Sequence, residues 1–218
     1  MPLALFDLDN TLLAGDSDYE WGRFLITKGL VDEAYYEAEN NRFFEQYKQG
    51  TLDIYEFCAF SFQPLAEHNM EELQALHTEF MRNVIEPMIG RPAREAVDKH
   101  KQQGDTLMVI TATNSFVIKP IVRAFGIDHY LATEPKIIDN RYTGELEGIP
   151  CFHEGKVQRL KNWLAENKMS LQGSYFYSDS INDLPLLEKV DTPVAVDPDE
   201  KLAALARRRG WDCLSLRD

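Results

Sequence analysis

Short apolar runs alternate along the chain with segments of helical periodicity, beginning with the first residues. Leu3, Leu5 and Phe6 lie in an apolar run that suits a buried strand and breaks at once into Asp7-Leu8-Asp9. Helical periodicity predicts helices over 93–103, 116–125 and 156–167. Further apolar runs predict strands over 106–110, 130–133, 174–178 and 193–196, and we expect the last of these to be the final strand. A hairpin is predicted over 136–146, with its turn at Asp139-Asn140. Strands that alternate with helices in this way predict a parallel, doubly wound sheet.

The segment from residue 18 to about 84 breaks this alternation, because it contains no convincing strand. Aromatic residues such as Trp21 and Phe24 recur there at helical spacing, which predicts a small helical bundle with most of its aromatics in the core. Helix ends are expected at Lys28-Gly29, Gln49-Gly50 and Gln63-Pro64.

The predicted fold is therefore α/β, a doubly wound, Rossmann-like parallel sheet with a helical cap inserted after the first strand. We assign residues 1–14 and 88–218 to the sheet-bearing core and residues 15–87 to the cap. A cap that leaves the chain beside Asp7 would lie over the carboxyl edge of the sheet, where ligands bind in such folds.

Composition narrows the class of protein. The chain has 218 residues, of which 44% are hydrophobic, and this suffices for one core with an insert. Its 36 acidic and 23 basic residues give a formal net charge of -13, which argues against binding a nucleic-acid backbone. The run Arg207-Arg208-Arg209 is better explained as the solvated end of a helix.

Cysteine usage and the chain start favour a cytoplasmic protein without a membrane segment. Cys58, Cys151 and Cys213 are scattered without a metal-binding or redox spacing, so we interpret them as reduced thiols. The first strand begins without a basic leader, and no apolar stretch is long enough to cross a bilayer. The oligomeric state is left open.

Polar side chains follow predicted strands, or begin a predicted helix, at four places. They are, in chain order, Asp7 with Asp9, Thr111, Lys156 and the segment 179–183. Each alone has an ordinary explanation, because an acid after a strand is often a helix N-cap and a lone lysine usually lies at the surface. Asp7 and Asp9 together exceed what N-capping needs. Their occurrence with the other three in this order favours a functional site at the carboxyl edge of the sheet.

These motifs resemble those of the haloacid dehalogenase-like hydrolases, in the phosphoserine-phosphatase-like branch (subfamily IB), which carries a helical C1 cap after the first strand. The segment 7–12 fits the family's DxDxT motif, and Thr111 fits the Ser/Thr of the second motif. Lys156 fits the lysine of the third motif. The segment 179–183 fits the fourth motif, GDxxND, with Ser178 where a glycine is common.

The resemblance implies a reaction through an aspartyl phosphate. Asp7 would be the nucleophile, and Asp9 would act as general acid and then as base. Family members that cleave carbon–halogen bonds, or that retain the phosphoenzyme, lack an acid at the place of Asp9, so a phosphatase or phosphotransferase is implied. Mg²⁺ would be held by the side chains of Asp7 and Asp179 and the backbone carbonyl of Asp9, with Asp183 orienting a metal-bound water.

The resemblance also implies how the phosphate is bound. Lys156 and the Thr111 hydroxyl would hold phosphoryl oxygens, and Asn182 would hold the phosphate or a nearby substrate group. Backbone N–H groups would assist, near Leu8, Asn10 and Ala112. A cap that closes over the site favours a small-molecule phosphate ester over a phosphoprotein.

Two cap residues are candidates for substrate recognition. Asp16 stands where the resembling phosphoserine phosphatases carry an acid for the substrate amine, although it could equally cap the first cap helix, as could Ser17 or Asp18. The arginine that those phosphatases use for the serine carboxylate has no counterpart in the stretch 57–62. Histidinol phosphate has an amine, no carboxylate and an imidazole that an aromatic cap residue such as Trp21 or Tyr47 could stack on, so we favour it as substrate.

Three alternatives stay open at this point. The chain could be a phosphoserine phosphatase, or a phosphotransferase or mutase that passes the phosphoryl group from the same aspartyl phosphate to an alcohol other than water. It could also be a non-catalytic binding protein that keeps the fold. The loss of Asp7 or Asp9 would be the expected signature of that third class, and both residues are present.

Overall fold

A computed structural model describes residues 2–218 and places a seven-stranded sheet at the centre of the molecule. The strands are β1 Leu3–Phe6, β2 Thr106–Asn114, β3 His129–Ile138, β4 Arg141–Glu147, β5 Tyr175–Ser178, β6 Thr192–Val196 and β7 Asp212–Leu214. They lie side by side in the order β4-β3-β2-β1-β5-β6-β7, and neighbours are parallel except for the antiparallel pair β3 and β4. The predicted α/β fold with a doubly wound parallel sheet is confirmed.

β1 is the central strand, and all four of its residues are buried. Leu5 pairs with Met108 of β2 on one side and with Phe176 of β5 on the other. A parallel strand that is covered on both faces needs apolar side chains at every position, which explains its unbroken apolar run. Because β1, β2 and β5 run in the same direction, they end at one edge of the sheet, with Asp7 immediately beyond β1.

Helices flank the sheet and extend from it. They are α1 Ser17–Thr27, α2 Glu33–Gln49, α3 Ile54–Glu67, α4 Met70–Phe80, α5 Arg91–Gln103, α6 Ser115–Ala124, α7 Glu154–Asn167, α8 Leu184–Leu187 and α9 Glu200–Arg209. The first four lie between β1 and β2 in the chain, as the sequence predicts for the cap. Each of these four begins at an acceptor side chain that binds backbone N–H groups of its first turn, namely Asp16, Asp32, Asp53 and Asn69.

The cap helices share a buried apolar cluster with one face of the sheet. Trp21 of α1 is 2% exposed and packs against Phe24, Phe80 and Phe116, the last of which belongs to α6 beside the sheet. The same cluster includes Phe6 of β1. The buried cluster is continuous between the cap helices and the sheet, so it marks no boundary between two domains. The division into a sheet-bearing core, residues 1–14 and 88–218, and a cap, residues 15–87, stays a prediction.

The expected helix end at Gln63-Pro64 is wrong, because α3 continues through Pro64 to Glu67. A proline inside a helix costs about 3 kcal/mol relative to alanine, since it removes a backbone hydrogen bond. Phe62 and Leu65 flank it and are buried, and each buried side chain of this size contributes about 1.5–3 kcal/mol. The free energy gained by burying this face of α3 therefore outweighs the cost of Pro64 inside the helix.

Two strand predictions also need correction. The strand predicted over 130–133 and the first arm of the hairpin form one strand, β3, which turns at Asp139-Asn140 into β4. Both turn residues have positive φ, 49° and 59°, as the predicted tight turn requires. The segment 193–196 is not the final strand, because β7 pairs beyond β6. β7 is a three-residue, exposed edge strand, so it has no buried face to leave a pattern in the sequence.

Three smaller expectations concern the surface and the thiols. Arg207-Arg208-Arg209 forms the exposed last turn of α9, as predicted. Cys58, Cys151 and Cys213 are all free thiols, and the first two are buried. Within residues 2–218, no helix combines the length and apolar composition that a membrane crossing requires.

Candidate active site

A tight turn after β1 directs two carboxylates toward one pocket. The backbone reverses within Leu8–Leu12, where Asp9 is extended and Asn10 has φ 55°, a left-handed conformation that asparagine tolerates better than most residues. Asp7 and Asp9 consequently line the same pocket. Asp7 is 5% exposed, so its charge needs partners within the protein.

Lys156 at the start of α7 links Asp7 to Asp183. Its Nζ lies 2.7 Å from Oδ1 of Asp7, and 2.7 and 2.9 Å from the two carboxylate oxygens of Asp183. The Ser178 hydroxyl donates to Oδ2 of Asp183 at 2.7 Å. Although burial by itself lowers the pKa of Lys156, the charges of Asp183 and Asp7 raise it above its usual range. The buried side chain therefore stays a charged ammonium, held between two carboxylates.

Thr11 brings a third acid close to Asp7. Its hydroxyl lies 3.2 Å from Oδ1 of Asp179 and 3.5 Å from Oδ2 of Asp7, and it accepts the N–H of Asp179 at 3.1 Å. Asp179 follows β5 directly, just as Asp7 follows the neighbouring β1. Two carboxylates from adjacent parallel strands thus flank one hydroxyl.

Burial and mutual repulsion make these acids hold their protons strongly. Burial raises the pKa of Asp7 to about 7; Lys156 opposes the rise, and the charge of Asp183 adds to it. Burial also raises the pKa of Asp179 well above its usual range, and the charges of Asp7 and Asp183 raise it further. When ionised, the acids would carry more negative charge than Lys156 balances, so a cation at this edge of the sheet would stabilise their charged forms.

The donor set fits Mg²⁺. Among residues 2–218, no three histidine, cysteine, aspartate or glutamate side chains stand together as a complete metal cage. Mg²⁺ does not need such a cage, because it usually binds through one or two carboxylates and keeps several waters. Asp7 and Asp179 are two carboxylates that share the Thr11 hydroxyl, and they could serve as that pair.

Asp9 is held by neutral donors. Its Oδ1 accepts the backbone N–H of Ser17 at 2.6 Å, and its Oδ2 accepts the hydroxyl of Thr113 at 2.7 Å and that of Thr111 at 3.5 Å. Loss of solvation raises the pKa of Asp9 to about 6, the charge of Asp16 adds to the rise, and the hydrogen bonds oppose it. A carboxyl group with such a pKa can exchange a proton near neutral pH.

The pocket encloses about 640 Å³, part of it open to solvent, between the carboxyl edge of the sheet and the first three cap helices. Its acidic lining consists of Asp7, Asp9, Asp16 and Asp18. Its aromatic lining comes from the cap and consists of Tyr19, Phe43, Phe44, Tyr47 and Phe57. Thr111, Ala112 and Thr113 line it from the end of β2. The described lining residues include no arginine or lysine.

Most residues singled out in the sequence lie at this pocket or among the acids beneath it, but Asn182 does not line it. The Asn182 amide donates to the backbone carbonyl of Tyr47 at 3.0 Å and so ties the core to α2. This contact uses one of the two N–H groups of the amide, and the role of Asn182 toward phosphate stays a prediction.

The two cap candidates are placed differently. Asp16 lines the pocket but also caps α1, since its Oδ1 accepts the N–H groups of Asp18 at 3.0 Å and Tyr19 at 2.9 Å. Trp21 does not reach the pocket, and the expectation that it stacks on a substrate is contradicted. Its ring is buried in the apolar cluster described above.

Some residues of the site escaped sequence reasoning. Thr113 holds Asp9 and lies two positions after Thr111, on the same face of β2, so the alternation of a strand could have indicated it. Ser178 supports Asp183 from the place where the family commonly has glycine. Asp18 lines the pocket from the first turn of α1, and no spacing in the sequence separates it from an ordinary first-turn acid.

Comparisons with known proteins identify the family and the fold of the chain. A sequence model of the haloacid dehalogenase-like hydrolases matches residues 4–188. The chain is 47% identical to a histidinol-phosphatase of Neisseria meningitidis over 219 aligned positions, which cover 99% of each protein. It is also 47% identical to a Bordetella pertussis protein of unknown function, whose crystal structure superposes with a TM-score of 0.93 over 99% of this chain and 98% of that one.

A more distant structure shares the same architecture. A substrate-bound phosphoserine phosphatase superposes with a TM-score of 0.71 at 18% identity, over 99% of this chain and 93% of that one. The family match covers most of the chain, including the strands and the cap that build the pocket. The chain belongs to the haloacid dehalogenase-like hydrolase family, as a phosphatase of its phosphoserine-phosphatase-like branch.

Proposed function

We propose that the protein is a Mg²⁺-dependent phosphomonoesterase that acts on a small phosphorylated metabolite, histidinol phosphate, through a phosphoryl group carried on Asp7. The observation that carries this proposal is the pairing of Asp7 and Asp9 on one pocket, each with the partners its role needs. Asp7 contacts the ammonium of Lys156, and Asp9 accepts only neutral donors.

In the first step, a carboxylate oxygen of Asp7 attacks the phosphorus and the ester oxygen leaves. Lys156 and the Thr111 hydroxyl, together with the backbone N–H of Ala112, would hold the phosphoryl oxygens in line. The leaving alkoxide takes a proton from Asp9. Thr113 and the N–H of Ser17 fix the position of that carboxyl group within the pocket.

In the second step, water attacks the phosphoryl group on Asp7. Asp9, having lost its proton, now accepts one from that water, so the same residue serves both halves of the reaction. The products are inorganic phosphate and the regenerated carboxylate of Asp7.

Asp7, Asp179 and the backbone carbonyl of Asp9 would hold Mg²⁺, with Asp183 oriented by Lys156 and Ser178 beside them. The ion supplies positive charge that reduces the repulsion between the Asp7 carboxylate and a phosphate dianion. Asp183 and Lys156 keep their own pairing, which would hold the ammonium in position for phosphoryl oxygens.

Histidinol phosphate is favoured over phosphoserine by the lining of the pocket and by similarity. Phosphoserine carries a carboxylate, and the described lining offers that group no arginine or lysine. Arg42, on α2 of the cap, is engaged at the surface with Glu39 and Glu56. The aromatic wall suits an imidazole ring, and a protein 47% identical over its full length is named a histidinol-phosphatase.

The proposal is tested by steady-state kinetics on a panel of histidinol phosphate, phosphoserine, phosphoethanolamine and p-nitrophenyl phosphate. Histidinol phosphate should give the highest kcat/KM, by at least about tenfold, because only its ring and amine both match the pocket. Activity should vanish with a chelator and return with Mg²⁺. Equal rates on all four esters, or full activity in chelator, would contradict the proposal.

The nucleophile is tested with Asp7→Asn. This variant should lose turnover, and acid-quenched wild-type protein should carry a phosphoryl group on Asp7 that the variant lacks. Asp32→Asn is the matched control, because Asp32 caps the exposed start of α2 and asparagine caps equally well. Turnover by Asp7→Asn at the wild-type rate would rule out the assignment.

A further inference from the structure

The geometry points to Asp18, and not Asp16, as the residue that binds the cationic amine of the substrate. This inference rests on the proposed phosphatase function, and it identifies the substrate class as phosphomonoesters of amino alcohols. It begins from the four carboxylates that line the pocket, Asp7, Asp9, Asp16 and Asp18.

Three of these carboxylates already have strong partners. Asp7 contacts the Lys156 ammonium at 2.7 Å. Asp9 accepts a backbone N–H at 2.6 Å and a hydroxyl at 2.7 Å. Oδ1 of Asp16 accepts two backbone N–H groups, at 3.0 and 2.9 Å, at the start of α1, where the helix dipole also favours a negative charge. These hydrogen bonds oppose the rise in the pKa of Asp16 that loss of solvation causes. Each of the three is therefore engaged by at least one protein donor at 3.0 Å or less.

Asp18 differs from them in its partners. Its Oδ1 receives one amide hydrogen bond, from Asn114 at 3.3 Å. Among residues 2–218, the Oδ2 atoms of Asp18 and Asp16 both lack a hydrogen-bond donor, but only Asp18 lacks a donor within 3.0 Å on either oxygen. Loss of solvation raises the pKa of Asp18 well above its usual range, and the charges of Asp16 and Asp9 add to the rise. A carboxylate in such surroundings is stabilised by a cation, and an ammonium group of a ligand would provide one.

The position of Asp18 within the pocket suits this role. It lies in the first turn of α1, and Asn114, its amide partner, ends β2 three residues after Thr111. A ligand whose phosphate reaches Thr111 and Asp7 therefore has Asp18 within the same cavity. The pocket presents acids and aromatic rings to the ligand, so an ammonium meets complementary charge, while a second anionic group would not.

The test compares two variants that remove one charge at matched size, Asp18→Asn and Asp16→Asn. Asparagine caps a helix as well as aspartate does, so Asp16→Asn preserves the start of α1. Glu20→Gln is the control for the loss of a negative charge in the same helix turn. Glu20 contacts Arg23 at 3.5 Å and does not line the pocket.

Each protein is assayed on two pairs of esters whose members differ only in the amino group. The first pair is histidinol phosphate and its analogue without the amino group, and the second is phosphoethanolamine and ethyl phosphate. The readout is the ratio of kcat/KM within a pair, because changes in folding or in phosphoryl transfer affect both members alike. A melting curve for each variant accompanies the kinetics.

Wild type should prefer the aminated member of both pairs. Asp18→Asn should lower that preference by at least about tenfold, since it removes a hydrogen bond between two charged groups. Asp16→Asn and Glu20→Gln should lower it by less than about threefold, because their charges act on the amine only at a distance. If Asp18→Asn does not fold, Asp18→Ser, which is smaller and well tolerated in a first helical turn, provides the same measurement.

Two results would overturn the inference. One is loss of the preference in Asp16→Asn together with its survival in Asp18→Asn, and the other is a wild-type ratio near one for both pairs. Failure of the proposed substrate gives a different result. Wild type would then leave histidinol phosphate intact but still prefer phosphoethanolamine over ethyl phosphate, and the loss of that preference in Asp18→Asn would support the role of Asp18.

Discussion

Asp7 and Asp9 are only two residues apart, yet their hydrogen-bond partners differ. The Lys156 ammonium favours the charged form of Asp7, and a divalent cation beside it would favour that form further, against the burial that raises its pKa to about 7. Asp9 has neutral partners, Ser17 and Thr113, and a pKa raised to about 6. These surroundings suit a nucleophile and a proton donor, respectively.

The raised pKa of Asp9 predicts that removal of its charge stabilises the metal-free protein at high pH. With a pKa of about 6 in the folded protein and 3.8 as its ordinary value, Asp9 contributes stability that is complete below about pH 4 and is lost as pH rises through about 6. Asp9→Asn should therefore exceed wild type in free energy of unfolding by about 1–2 kcal/mol at pH 8, while losing activity.

Urea unfolding in the presence of chelator measures this difference at pH 4.5 and at pH 8. These two pH values lie on either side of the pKa of about 6 that Asp9 has in the folded protein. The gap between Asp9→Asn and wild type should be small at the lower pH and develop as pH rises. A gap of the same size at both pH values would contradict the prediction, because a lost contact without titration has no such dependence.

Helices and strands with complete local signals are the ones that the sequence predicts well. α5 is an example, since it begins after Gly90 with Pro92 in its first turn and ends just before Gly104, whose φ of 80° suits glycine. The continuation of α3 past Pro64 and the pairing of β7 depend instead on contacts with distant segments. Such contacts leave no local pattern, so both features were missed.

The start of α7 is an element whose position depends on one glycine. A Cβ atom on Gly155 would lie 2.0 Å from the carbonyl oxygen of Pro150, so only glycine allows the loop to approach the helix this closely. His153, just before the helix, has φ 46°. Lys156 follows Gly155 directly, and its ammonium position is therefore set by this approach.

Gly155→Ala should displace the start of α7 and, with it, Lys156. We expect a loss of about 1–3 kcal/mol in free energy of unfolding from the steric conflict, and a fall in kcat of at least about tenfold from the misplaced ammonium. Gly104→Ala is the control, because its Cβ would meet nothing within 4 Å. That variant should cost about 1 kcal/mol of backbone strain yet keep kcat, whereas equal kcat loss in both would point to general destabilisation.

At the scale of the whole molecule, the C-terminal tail completes the turn that carries the site. Leu216 is buried, and the Arg217 guanidinium donates to the carbonyl of Asn10 and, at 3.1 Å, to that of Thr11. The motif residues Asp7, Asp9, Thr111 and Lys156 are brought together as their strand and helix ends predict. Arg217 is about two hundred positions away from its partners, and no motif or period connects it to them.

Arg217→Gln tests whether this tail acts on the chemistry. The change removes a charged donor from two carbonyls of the turn between Asp9 and the rest of the core, which should cost about 1–2 kcal/mol in free energy of unfolding. Because the turn sets the positions of both carboxylates, kcat should fall several-fold with little change in KM. Arg208→Gln, an exposed change in the last turn of α9, should alter neither. A loss of stability with kcat unchanged would instead show that Arg217 only stabilises the fold. Comparing the change in kcat with the change in free energy of unfolding therefore distinguishes a tail that stabilises the fold from one that positions Asp7 and Asp9.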